Sequence, residues 1–118
     1  MQTFIHYFLH LVFPIFISKI FFKNNWKKAF IIILFTMIID LDHLLATPIF
    51  DANRCSLGFH PLHTGYALLI YLTLFYFTKT RIISIGLIFH IFTDFIDCLI
   101  TYSKCSNCKF PITIHNFF

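Results

Sequence analysis

The chain has 118 residues, 58% of them hydrophobic and only 12% charged, with a formal net charge of +4. A soluble domain carries about 25% charged residues, and a fold this small leaves too much of its chain facing solvent to hide so large an apolar share. Composition therefore argues against a soluble globular domain and excludes disorder. The 18 Phe say little alone, because Phe, Ile, Lys and Asn are abundant together here, as in AT-rich genomes.

The first apolar stretch covers residues 3–22 and contains His6 and His10. It lacks the basic leading region and small-residue cleavage site of a signal peptide, so it reads as a spanning helix. Lys19, Lys23, Lys27 and Lys28 gather around its end. The second stretch, 29–49, carries Asp40, Asp42 and His43. A loop with Arg54, Cys55 and His60 leads to the third stretch, 64–77, which is short. It reaches the roughly 20 residues of a span if its helix starts near Pro61, a residue tolerated in a first turn. Lys79 and Arg81 precede the fourth stretch, 82–101, which holds His90, Asp94 and Asp97.

The expectation is an all-α membrane protein, a bundle of four transmembrane helices with antiparallel neighbours. Residues 1–102 form the bundle and 103–118 a polar tail. Six basic residues fall in the first and third connections. Three (Arg54, Lys104 and Lys109) fall in the second loop and the tail. Cytoplasmic loops carry the excess of Lys and Arg, so both termini are expected outside, in a multi-pass protein of the bacterial inner membrane. This use of basic residues speaks against nucleic acid as a partner and for membrane lipid. Four short helices would transport only as a homo-oligomer.

All five acids are Asp, and four lie inside or at the ends of apolar stretches. Ionisable groups in such places are expensive and usually functional. On the expected topology, His6, His10, Asp40, Asp42, His43, His60, His63, Asp94 and Asp97 gather near one membrane face, with His90 nearer the middle of its span. That agreement uses nothing from the Lys and Arg counts.

Helical geometry groups them further. His6 and His10 are four apart and share a face. His90, Asp94 and Asp97 fall within an arc of about 60°. Asp40 and His43 are three apart; Asp42 points elsewhere if the helix is regular. An acid-rich, His-rich cluster with only Arg54 nearby needs another positive charge, and a divalent metal supplies it. Imidazole and carboxylate suit zinc, and also manganese or iron. The expected ligands are His6, His10, Asp40, His43, His60, His63, His90 and Asp94. Asp42 and Asp97 are expected as proton acceptors or supports for ligand imidazoles. A proton relay and interhelical polar glue are the competing uses of the same residues. His115 falls outside the pattern.

The segments DLDH (40–43), FHPLHT (59–64) and HIFTD (90–94) resemble the predicted metal-dependent hydrolases of the bacterial inner membrane, the LexA-binding group. Those proteins carry Asp-x-Asp-His, His-Arg-x-x-His-Ser and His-x-x-x-Asp in this order on membrane helices. Here Pro61 replaces the Arg and Thr64 the Ser. A closer likeness, over about residues 4–98, is to a small bacterial membrane family of unknown function. It runs from HYFLH through TMIIDLDHLLATPIFDANRCSLGFHPLH to GLIFH and DFIDC. The hydrolase reading is attack on an ester or phosphoester at the outer face expected from the topology, with a lipid-derived substrate suggested by location alone. Arg54 would then hold an anionic group, and Asp42 or Asp97 would take a proton. The alternative is a non-enzymatic membrane protein that binds, transports or helps assemble metal.

Cys55, Cys98, Cys105 and Cys108 all fall on the expected outer side, where disulfides persist. Four Cys allow three pairings, and a single C-x-x-C at 105–108 is a weak zinc or redox signal.

Overall fold

The computed structural model describes residues 2–49, 55–104 and 117–118, and among these every regular element is helical. Helix α1 (Gln2–Tyr7) runs through a π-helical segment, Phe8–Val12, into α2 (Phe13–Phe21). The π segment has a local cause. Pro14, at the start of α2, has no N–H to give the carbonyl one turn back, and its ring crowds that carbonyl. The wider π turn just before it absorbs the misfit.

A tight turn with a 3₁₀ piece, Lys23–Asn25, leads to α3 (Trp26–Phe35). The regular helix expected over 29–49 does not continue. From Thr36 to Leu45 the chain winds as a 3₁₀ helix. Thr36 marks the change: its hydroxyl donates to the Ile33 carbonyl at 2.5 Å, competing for a group the α-helix would use. Gly86 of α5 presses on the same spot. A Cβ there would lie 2.7 Å from both Thr36 Cγ2 and Thr36 Oγ1.

The third helix also begins later than expected. Pro61–His63 form a separate 3₁₀ turn, and α4 spans Gly65–Tyr76. Thr64 is extended and caps α4, its hydroxyl accepting from the Ala67 N–H at 3.4 Å. Helix α5 (Arg81–Lys104) is the longest element. It packs on α4, where the Ser84 hydroxyl donates to the Tyr71 carbonyl at 2.6 Å, and on α3.

Two stretches, Phe4–Phe21 and Arg81–Lys104, are long and apolar enough to cross a membrane. The interior is unusually polar: His10, Ser18, Thr36, His63, Ser84, His90, Thr93 and Asp94 are buried, while Phe16, Ile31, Ile70, Phe92 and many other apolar side chains are exposed. A soluble protein has the opposite distribution.

The basic turns collect at one end. Phe21, before the first, and Phe75, before the second, line one groove with Ile85. Asp94 lies 13 residues along α5 from Arg81, about 20 Å at the helical rise. Near that far end a disulfide joins Cys55 to Cys98 of α5, a pair that belongs to one of the three connectivities the sequence allows. Cys105, Cys108 and most of the tail lie outside the described residues.

Candidate metal centre

The 3₁₀ helix delivers the first acids. Residues three apart eclipse in such a helix, so Asp40 and His43 stand in line and Asp42 turns inward. Asp42 is buried. Its Oδ2 accepts from the Leu62 N–H at 3.0 Å and lies 3.1 Å from His63 Nδ1. Its Oδ1 lies 3.2 Å from His43 Nδ1, and His43 Nε2 lies 3.1 Å from Ser56 Oγ. The Tyr71 hydroxyl donates to the Leu62 carbonyl at 3.0 Å, pinning the His60–His63 turn onto α4.

With Nδ1 facing Asp42, His63 turns Nε2 toward α5. It stands 3.0 Å from Asp94 Oδ2 and 3.6 Å from Asp40 Oδ1. His90 Nε2 stands 3.1 Å from Asp40 Oδ1 and 3.6 Å from Asp94 Oδ2. Four donor atoms from three segments thus close a ring with edges between 3.0 and 3.6 Å. Tetrahedral ligands about 2.0–2.2 Å from zinc are roughly 3.4 Å apart. His63 Nε2 and Asp94 Oδ2 form an ion pair whose geometry is not that of a hydrogen bond. His63 and His90 are fully buried.

The carboxylates of Asp40 and Asp94 both face the His63 imidazole.

His6 and His10 approach from the first helix with ring centroids 4.3 Å apart. His6 Nδ1 pairs with Asp97, and His10 Nε2 lies 3.5 Å from Asp94 Oδ1. One donor atom each from His6, His10 and Asp94 falls within 4.8 Å of the others, and the same holds for Asp42, His43 and His63. His60 is buried flat against His43, centroids 3.9 Å apart, and joins none of these groups. Arg54 and His115 lie outside the described residues. A cavity of about 630 Å³ opens beside Asp40 and Asp94, walled by His6, Asp97, Met37, Leu41 and Leu44.

Ser56, Tyr71 and Gly86 support this centre without any sequence signal of their own. Ser56 is a loop serine, and the roles of Tyr71 and Gly86 depend on which helix lies opposite.

The fold and centre define an all-helical protein with a His/Asp cluster in a polar interior. The chain belongs to a family of unknown function, DUF6122, which matches residues 1–101. No curated protein and no solved structure matches it.

Proposed function

We propose that Asp40, His63, His90 and Asp94 hold a divalent cation, zinc before manganese or iron, and that the protein is a metal-dependent hydrolase of the bacterial inner membrane. One observation carries the reading: four buried or half-buried donors, two imidazole and two carboxylate, all within 4.8 Å of one another, with four of their separations between 3.0 and 3.6 Å. A bound ion would polarise a water and the ester or phosphoester it attacks. Asp42 fixes the His63 ring with Nε2 inward, as carboxylates beside ligand imidazoles do. Asp97 lines the same cavity as Asp40 and Asp94, so it is the group to take a proton there. The apolar wall of Met37, Leu41 and Leu44 suits the hydrocarbon part of a lipid-derived substrate. This open cavity favours an enzyme over a purely structural or carrier site, because structural zinc sites are closed.

The membrane reading rests on the polar interior and apolar exterior, and on length. The path from α3 through the 3₁₀ segment, 10 and 10 residues, is about 35 Å at rises of 1.5 and 2.0 Å, enough for a hydrocarbon core of about 30 Å. Residues 61–76 give about 26 Å by the same arithmetic. Four passes then put the His/Asp end outside, with the Cys55–Cys98 disulfide on the oxidising side.

The test is elemental analysis and hydrolysis of lipid ester and phosphoester micelles by detergent-purified protein. The comparisons are an Asp40→Ala, His90→Ala double variant and Asp97→Asn. The double variant should lose both metal and turnover, and Asp97→Asn should lose turnover while keeping the ion held by Asp40, His63, His90 and Asp94. Metal unchanged in the double variant would sink the reading. Metal without turnover would leave the non-enzymatic one.

A further inference from the structure

We infer that the centre is dinuclear, with Asp94 bridging the ion proposed above to a second divalent cation held by His6 and His10. The inference rests on the first ion's site and extends it.

The two oxygens of Asp94 face different imidazoles. Oδ2 is turned to His63 and His90, at 3.0 and 3.6 Å, and Oδ1 to His10, at 3.5 Å. A carboxylate presented this way serves two ions at once, and two-metal hydrolytic sites hold their ions about 3.5–4 Å apart. The 3.5 Å between His10 Nε2 and Asp94 Oδ1 is again close to the roughly 3.4 Å expected of tetrahedral zinc ligands.

His10 is the independent observation. It is 3% exposed, and neither ring nitrogen makes a hydrogen bond. A buried polar group left without one keeps an uncompensated desolvation cost, so a native chain retains it for a reason. Its ring lies between those of His6 and His90, 4.3 and 4.5 Å from them. Interhelical glue would have placed it against a carbonyl or hydroxyl. A cation between His10 and Asp94 satisfies it. Asp97, paired with His6 Nδ1, orients the second imidazole as carboxylates do for ligand histidines. The π segment, Phe8–Val12, contains His10, and such segments are frequent at functional sites. The substrate class that follows is one whose oxygen spans two cations, a phosphoester rather than a simple carboxylic ester.

The experiment is metal counting and electron paramagnetic resonance on the full chain in mild detergent, titrated with cobalt(II). Wild type should take two equivalents, and the second should weaken the signal of the first through coupling across Asp94. His10→Gln, which keeps bulk and polarity, should take one equivalent with an uncoupled signal. One equivalent in both proteins would overturn the second ion and leave the first standing. No metal in either would overturn both. A second equivalent in wild type that adds an independent signal would overturn the bridge, and so would loss of all metal in His10→Gln. The wild-type coupling readout decides the matter even where the variant does not fold.

Discussion

Asp42 lies 3.1 Å from His63 Nδ1, on the side of the ring away from Asp94. The carboxylate therefore decides which nitrogen of His63 faces the centre, while standing apart from the donor ring itself.

Asp42→Asn should accordingly weaken metal binding by about 10- to 100-fold, the usual cost of losing such a partner, without emptying the site at saturating metal. His63→Ala should empty it. Competition against a chelator of known affinity measures both. An Asp42→Asn protein that binds no metal at saturation would make Asp42 a direct ligand.

Gly86→Ala tests how the helices hold the donors. The new methyl would meet Thr36 at 2.7 Å, well inside contact distance and against a buried side chain. Helix α5 must move off α3, and His90 is one turn along from Gly86. The expected result is destabilisation of about 1–3 kcal/mol, as for overpacking, with metal affinity at least tenfold lower although no ligand is touched. Thr36→Ala in the Gly86→Ala background should recover part of the affinity. Unchanged affinity in Gly86→Ala would show that the helices yield elsewhere.

The disulfide spans 43 residues. Cys98→Ser should lower stability by about 2–4 kcal/mol in the usual range for such links, read as a lower melting temperature in detergent. Reduction of the wild type should give the same shift, and reductant should not change Cys98→Ser further. A second reductant-dependent drop in the variant would mean that another disulfide matters more.

Protons should compete with the ion. A ligand imidazole must lose its proton before it binds. Apparent metal affinity should therefore fall on acidification, as each ligand imidazole that takes up a proton stops binding. An affinity that does not change with pH would count against imidazole ligands.

The topology is open to reporter fusions near Lys27 and after Lys104. They should report opposite sides, with Lys27 cytoplasmic. Same-side signals would refute the four-pass arrangement.

The helical class was legible because composition and run length alone demand it. The stripe of His90, Asp94 and Asp97 was legible because α5 is regular, so spacing converts directly to a face. Asp40 and His43 were legible for a luckier reason: residues three apart share a face in α and 3₁₀ helices alike. The winding change at Thr36 was not legible. Residues 29–49 are apolar on nearly every side up to Asp40, so no periodicity distinguishes one helix type from another. The late start of α4 was hidden for a related reason: Pro61 fits the first turn of either helix type. Which nitrogen each imidazole offers, and which Cys pair forms, depend on neighbours from distant segments, and no local pattern encodes those.

His6 and Asp97 meet although 91 residues separate them. The ribosome therefore delivers His6 well before Asp97. Until α5 emerges, His6 and His10 have neither Asp94 nor Asp97 to meet, and Asp40 has no His90. A nascent chain lacking α5 cannot yet close the ring of donors around an ion. Closure of the proposed site around an ion therefore waits for α5.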